Sequence, residues 1–308
     1  MNCATLLTVI TLMAWTTPGC AGFYVPGVAP TDFRKGDHIT VKAIKMTSSK
    51  TQLPFEYYSL PFCKDPKGVK YKTENLGEVL RGDRISTTAY EVAMDEKYDC
   101  RVLCGSNDSP SKFTKEDSDT VNYRIEAEYF IHLIVDNLPC ATQFQLADTQ
   151  EVQYEPGFRL GFTRGGKSYI NNHLNLILSY HHNKDDNVYR VVGFRVETNS
   201  IAKERLSINS DGKTCAIGDQ DQKSNFQEVK KGQDTELFFT YSVKWQESDI
   251  KWASRWDIYL SMADVQIHWF SIINSVVVVF FLSGIITMII IRTLRRCLYC
   301  NITNYCAI

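Results

Sequence analysis

Apolar residues concentrate near the two ends of the chain, and mixed sequence lies between them. The first apolar run, residues 6–15, carries no charge and is followed by Pro18, Gly19 and the small residues 20–22. It is too short to cross about 30 Å of hydrocarbon. Residues 1–22 are therefore predicted to be a cleaved secretory signal peptide. Because no Lys or Arg precedes the run, an uncleaved anchor is the alternative.

The second apolar run, residues 269–291, contains no charged residue. As a helix it would be roughly 34 Å long, which is enough to span a bilayer with some tilt. It also exceeds the length expected of a buried core helix. Arg292, Arg295 and Arg296 follow directly, and the positive-inside rule predicts that the tail 292–308 is cytosolic. The pattern thus predicts a single-pass type I membrane protein in the lipid bilayer, with residues 23–268 in the lumen.

Between the two runs, apolar and polar residues alternate in residues 174–180, 188–196 and 237–246. This period of two is typical of strands that turn one face to a core. Ile39, Val41 and Ala43 indicate a further strand.

Two segments between these strands have other patterns. The polar residues 181–187 predict a hairpin loop. Thr114 and Asp117 predict the start of a helix over 115–127, followed by a strand over 129–136. The predicted fold class is mainly β: an antiparallel sandwich-like lumenal domain with few helices, followed by one transmembrane helix.

The predicted lumenal domain has an odd number of cysteines, so at least one is free or pairs between chains. Disulfides are expected in an oxidising compartment. The candidates are Cys63, Cys100, Cys104 and Cys215, with Cys140 as the fifth cysteine. Cys100 and Cys104 are close enough to bridge locally, but the sequence leaves the pairing open. No histidine lies at a spacing that would favour a zinc site over structural disulfides.

Residues 161–168 match the phosphate-binding pattern G-x-x-x-x-G-K-S. That site requires a helix beginning at Lys167, whereas an alternating strand pattern follows, so a glycine-rich turn is favoured. A cluster of His181, His182, Asp185 and Asp186 could hold a metal, but such hairpin tips are usually solvated. The expectation is a protein that is not an enzyme and has no cofactor. A lumenal nucleotide or metal hydrolase remains a weaker alternative.

Charge and short motifs narrow the possible partners. The net charge of −1 gives no reason to expect a nucleic-acid partner. Asn107 begins a glycosylation sequon whose use Pro110 should reduce. The Arg-Gly-Asp at residues 81–83 is interpreted as a turn before a strand.

Four tryptophans precede or begin the predicted membrane helix, and Arg255 lies among them; they are Trp245, Trp252, Trp256 and Trp269. Indole rings favour the membrane interface, and Arg255 could stack on one of them. Core packing of the same rings is an equally weighted alternative.

Within the predicted membrane helix, Ser271, Asn274 and Ser275 have the spacing i, i+3, i+4 and share one face. Asn274 and Ser275 are therefore candidates for packing against another transmembrane helix.

Several sequence blocks resemble one known family. They are residues 23–30 (FYVPGVAP), 57–63 (YYSLPFC), 74–84 (ENLGEVLRGDR), 241–245 (YSVKW), 252–257 (WASRWD) and 266–275 (QIHWFSIINS). Together they resemble the transmembrane 9 superfamily, the nonaspanins, and members two and four most of all. The Arg-Gly-Asp is then part of a family block and not an adhesion motif.

The resemblance implies a Golgi or endosomal protein that helps to localise other transmembrane proteins, which would be its cargo. Family members have nine membrane helices, whereas this chain departs from the pattern after Arg296. Two interpretations therefore stay open: a trafficking protein that also self-associates, and a truncated, non-functional fragment retained in the endoplasmic reticulum.

Overall fold

The computed structural model describes residues 29–305, except 52, 66, 72–82, 105–110, 146–151, 184–185, 219–225, 258 and 260–268. The predicted signal peptide, residues 1–22, and the sequon residue Asn107 lie outside the described residues. The chain divides into one compact unit up to Met262 and a second from Ala263 onward.

Strands make up most of the regular secondary structure of the first unit. In chain order these are β1 (His38–Thr47), β2 (Ser86–Ala93), β3 (Tyr98–Val102), β4 (Ser111–Phe113), β5 (Phe130–Val135), β6 (Leu138–Pro139), β7 (Ala141–Gln145), β8 (Val152–Pro156), β9 (Phe158–Arg159), β10 (Gly161–Arg164), β11 (Lys167–Ile170), β12 (His173–Asn183), β13 (Val188–Asn199), β14 (Leu206–Ile208), β15 (Cys215–Ile217), β16 (Thr235–Leu237) and β17 (Thr240–Glu247). Helix α1 (Lys115–Glu126) follows β4, and short 3₁₀ turns occur at Tyr57–Ser59, Lys203–Arg205 and Trp252–Ser254. The mainly β fold with few helices is confirmed.

Two large sheets form the body of this unit. The five-stranded sheet has the order β2-β1-β5-β6, with β9 also paired to β5. The six-stranded sheet has the order β3-β17-β12-β13-β7-β8. Three two-stranded pairs complete it: β10-β11, β14-β15 and β16-β4.

The six-stranded sheet is mixed rather than wholly antiparallel. Strand β17 pairs in parallel with β12, and β13 pairs in parallel with β7 through the single bridge Arg195–Ala141. Parallel pairing needs a long connection. For β12 and β17 the connection contains β13, β14, β15 and β16.

The main apolar core lies between the two sheets. Val41 and Leu133 come from the five-stranded sheet, and Leu176, Phe194 and Val243 come from the six-stranded sheet. All five are at most 1% exposed. The alternation in the sequence thus identified the core-facing positions of β12, β13 and β17.

Helix α1 and strand β5 confirm the predicted change from helix to strand. Thr114 caps α1: its hydroxyl accepts from the backbone N–H of Asp117, and the Asp117 carboxylate accepts from the backbone N–H of Thr114. This reciprocal capping satisfies two of the free amides at the helix start.

Two segment boundaries differ from the predictions. The predicted loop 181–187 is too long, because His181, His182 and Asn183 continue β12 and pair with Arg190, Tyr189 and Val188. Polar side chains are compatible with this ladder because the backbone makes the hydrogen bonds. The predicted strand 237–246 is divided, since Leu237 ends β16 and a break at 238–239 precedes β17.

Two disulfides connect distant parts of the chain. Cys63 is bonded to Cys104, Cys100 is bonded to Cys215, and Cys140 is free and buried. The local Cys100–Cys104 bridge does not form, because β3 carries Cys100 to β15 while the segment after β3 returns Cys104 to Cys63.

The second unit contains helix α2 (Trp269–Tyr305), which is longer than the predicted helix 269–291. Arg292, Arg295 and Arg296 therefore lie on the helix, which continues into the predicted tail 292–308. Its segment Ile272–Arg295 has 24 residues and is long and apolar enough to cross a membrane.

His132 of β5 makes the stability of the first unit dependent on pH. Its Nε2 lies 2.7 Å from Thr47 Oγ1. Burial, with a smaller effect from the Lys45 charge, lowers its pKa to about 4, against 6.5 for a free histidine. Since the unfolded chain binds this proton more readily, the stabilisation is complete above about pH 6.5 and is lost towards pH 4.

We expect His132→Gln to flatten the fall in the free energy of unfolding between pH 6.5 and 4, measured by denaturant titration at each pH. The matched control is His38→Gln, since His38 is exposed at the start of β1. Equal slopes for wild type and His132→Gln would show that His132 does not cause the pH dependence.

Candidate functional site

A buried ion pair fixes the segment around Arg255, near the end of the first unit, to the rest of that unit. Arg255 follows the 3₁₀ turn Trp252–Ser254, and its Nη1 lies 2.8 Å from Asp136 Oδ2. The same nitrogen donates to the carbonyl of Val191 at 3.2 Å. Arg255 is only 1% exposed. A buried arginine of this kind requires its anionic partner.

Asp136 belongs to the tight turn between β5 and β6. Asp136 and Asn137 have φ of 46° and 61°, a left-handed conformation that Asp and Asn tolerate better than most residues. Burial raises the pKa of Asp136, and the charge of Arg255 opposes that rise. The turn therefore presents a desolvated carboxylate that depends on Arg255 for charge compensation.

Aromatic contacts extend this attachment. The Arg255 guanidinium lies 4.4 Å from the centroid of the Trp252 ring, a cation–π geometry. Tyr259 donates from its hydroxyl to the carbonyl of Pro139 at 2.6 Å, and its ring lies 5.4 Å from that of Trp256. The pre-helix segment, residues 252–257 and 259, thus rests on the β5–β6 turn.

The four tryptophans do not form one cluster. Trp245 lies in β17 and is 5% exposed, and its Nε1 donates to the carbonyl of Ala93. Trp245 is therefore a core residue. Trp256 is 41% exposed and is not part of the core. The predicted stacking of Arg255 occurs on Trp252, and the side chain of Trp269 lies outside the described residues.

The phosphate-loop pattern at 161–168 is a β-hairpin. Strands β10 and β11 pair from Gly161–Ile170 to Arg164–Lys167. Gly165 and Gly166 form the turn with φ of 60° and 74°. No helix begins at Lys167, whose ammonium lies 3.1 Å from Glu228 Oε2. The predicted glycine-rich turn is confirmed.

The histidines at the tip of β12 have ordinary hydrogen-bond partners. His181 Nδ1 lies 3.1 Å from the carbonyl of Ser248, and His182 Nε2 lies 3.1 Å from Asn187 Oδ1. Asp186 accepts from Asn183, and Asp185 lies outside the described residues. Within the described ranges, no three His, Cys, Asp or Glu side chains are grouped as metal ligands.

An open groove of about 1640 Å³ crosses the outer face of the six-stranded sheet. Asn175 of β12 and Ser242 and Lys244 of β17 line it. They alternate with the core residues of the same strands, so they face away from the core. The groove continues to the place where β13 and β7 separate, since Thr198 and Thr142 also line it.

A hydrogen-bonded network stiffens the floor of this groove. His173 Nδ1 lies 2.8 Å from Thr240 Oγ1, and His173 Nε2 lies 2.9 Å from Asn175 Oδ1. Ser242 also donates to Asn175 Oδ1. Burial lowers the pKa of His173, which favours the neutral ring. Sequence reasoning missed this groove, because its residues come from distant parts of the chain.

A family model described as Endomembrane protein 70 matches residues 54–303. The chain belongs to this family. The match continues past Arg296, where the sequence pattern predicted a departure from the family, so the predicted point of departure is wrong. Curated relatives carry the name transmembrane 9 superfamily, which confirms the resemblance.

Transmembrane 9 superfamily member 4 of Rattus norvegicus is 53% identical over 302 residues, covering 93% of this chain and 46% of the relative. The Homo sapiens member 4 is 52% identical over 298 residues, covering 92% and 45%. Member 10 of Arabidopsis thaliana is 42% identical over 300 residues, covering 92% and 45%. The chain spans about half the length of these relatives. No solved structure matches it.

Asp136→Asn should destabilise the first unit by about 3 to 5 kcal/mol, because it leaves the Arg255 charge buried without a counter-charge. Denaturant unfolding measures the loss. The matched control is Asp249→Asn at an exposed position, which should change stability by less than about 0.5 kcal/mol. If the two variants were equally stable, Asp136 would not hold Arg255 in solution.

Lys167→Ala should leave nucleotide binding undetectable, as in the wild type, because the hairpin offers no helix amides to a phosphate. Removal of its exposed ion pair should cost at most about 1 kcal/mol. Titration with a fluorescent ATP analogue checks the first statement. Micromolar binding that disappears in Lys167→Ala, but not in the control Lys203→Ala, would contradict it.

Proposed function

We propose that this chain is a Golgi or endosomal membrane protein that helps to localise other transmembrane proteins. Family membership supports the endomembrane setting. The structural feature that carries the proposal is α2, whose described side chains from Ile272 to Arg295 are almost all exposed. An apolar helix of this kind is suited to a bilayer and to contact with other membrane helices. No catalytic step is part of this role.

We further propose that the first unit lies in the lumen and that α2 crosses the membrane once in this chain. Arg292 and Arg295 follow the apolar segment, which favours a cytosolic location for that end of the helix. The Cys63–Cys104 and Cys100–Cys215 disulfides support an oxidising compartment for the first unit.

One face of α2 carries the polar groups that a partner helix would engage. Asn274 and Ser275 lie on it, and both are exposed. An Asn amide is costly in hydrocarbon unless it finds a hydrogen-bond partner. Interhelical hydrogen bonds from such residues contribute about 0.6 to 2 kcal/mol. The proposed contact is therefore with a cargo helix or with a second copy of this chain.

Asn274→Leu should reduce co-purification of two differently tagged copies in detergent, and it should lower surface delivery of a co-expressed membrane protein whose transmembrane helix is rich in glycine. The expected loss is several-fold, because one interhelical hydrogen bond is removed. Immunoprecipitation and surface labelling give the two readouts.

The matched control is Ser283→Leu, which makes a similar change nine residues along α2, on the opposite face of the helix. The Ser283 hydroxyl already donates to the carbonyl of Val279 at 2.8 Å. Equal behaviour of the two variants would refute a specific role for the Asn274 face. The trafficking role would be refuted if surface delivery of the co-expressed membrane protein stayed the same both when this chain is expressed and when it is depleted.

A further inference from the structure

We propose that the groove on the outer face of the six-stranded sheet binds an acidic oligosaccharide. It lies wholly within the first unit, and all of its lining residues are among the described ones. The proposal adds a ligand-binding site to the trafficking role and depends only on the lumenal location of this unit.

The charge of the groove favours an anion. Its lining contains four cationic side chains and two carboxylates: Arg159, Arg164, Arg205, Lys244, Asp99 and Glu155. Within the described part of the chain, none of these six forms a salt bridge with another residue. The lining therefore carries an excess of two positive charges, which favours an anionic ligand.

The uncharged lining suits a ligand rich in hydroxyl groups. Thr198 and Asn199 make no side-chain hydrogen bond to the described residues, and both line the groove. The Asn175 oxygen is engaged by His173 and Ser242, so that amide has a fixed orientation. Short amide and hydroxyl side chains held in this way can donate to and accept from sugar hydroxyls.

An aromatic platform lies at one side of the groove. Phe162 and Phe226 line it with ring centroids 5.1 Å apart, and Phe162 also stacks on Tyr169 at 5.4 Å. The Arg164 guanidinium lies 5.9 Å from the centroid of the Phe226 ring. Partly exposed rings beside a cation can contact the apolar face of a sugar ring and the acidic group it carries.

The size and position of the groove decide between ligand classes. Its volume of about 1640 Å³ exceeds the roughly 300–1,000 Å³ of common small-molecule pockets, which indicates several linked units rather than one metabolite. A peptide added as a strand needs an open sheet edge. The floor instead comes from β12 and β17, which are paired on both sides.

Binding should be tested with the full chain purified in detergent and a heparin-derived hexasaccharide as the probe, by calorimetric titration. We expect binding that weakens with added salt, and binding of the neutral chitohexaose at least about tenfold weaker. Lys244→Ala and Arg164→Ala should each weaken hexasaccharide binding about tenfold, which corresponds to 1.4 kcal/mol.

Lys112→Ala is the matched control, because Lys112 is an exposed strand lysine that does not line the groove. Unchanged melting temperatures would show that each variant is folded. The proposal is overturned if the hexasaccharide does not bind, if Lys112→Ala weakens binding as much as Lys244→Ala, or if hexaglutamate binds more tightly than the sugar. Since purified protein is used, a negative result would leave the trafficking proposal intact.

Discussion

The buried contact between Asp136 and Arg255 is the constraint on which the arrangement of the first unit depends. Asp136 lies in the turn that joins β5 and β6 of the five-stranded sheet, and Arg255 also donates to Val191 of the six-stranded sheet. Removing two charges from water costs several kcal/mol per ion, and the cost is offset only when both partners are in place. The pair therefore forms only when both sheets and the pre-helix segment have assembled.

Several contacts hold the Arg255 guanidinium in one position. The Arg255 guanidinium is occupied on one side by Asp136 and the carbonyl of Val191, and it contacts the Trp252 ring. Lysine has no planar group with which to repeat this arrangement. The segment around Arg255 is thus a structural attachment within the first unit.

Much of the fold could be predicted from the order of apolar and polar residues along short segments, because that order shows which side of a strand or helix is buried. The alternation in β12, β13 and β17 and the capping residues Thr114 and Asp117 are of this kind. Parallel pairing of β12 with β17 could not be predicted, since period two is the same for both strand directions. The Cys100–Cys215 disulfide could not be predicted for a related reason, because separation along the sequence does not determine separation in space.

The candidate sites were harder to predict than the fold. The groove brings together Asp99, Phe144, Arg205 and Lys244, which share no spacing or motif. Asp136 had no partner near it in sequence to suggest an ion pair. The motif at 161–168 shows the reverse case, in which a recognisable sequence pattern has no matching site. The pattern is that of a phosphate-binding loop, but the segment forms a β-hairpin with no helix to bind phosphate.

The Cys100–Cys215 disulfide connects the six-stranded sheet to one side wall of the groove. It joins β15 to β3, with Val102 and Leu206 packed beside it. Ile217 and Gly218, just beyond Cys215, line the groove together with Arg205. One covalent bond therefore holds that side of the groove against the edge of the six-stranded sheet.

The position of β17 has a consequence for biosynthesis. It is the last strand of the first unit in the described chain, yet it lies between β3 and β12 inside the six-stranded sheet. While the chain is being synthesised, β3 and β12 lack their common neighbour until residue 247 has left the ribosome. The apolar helix α2 begins soon afterwards, at Trp269. Completion of the sheet thus nearly coincides with membrane insertion, and the unfinished edges of β3 and β12 need protection from other chains during that interval.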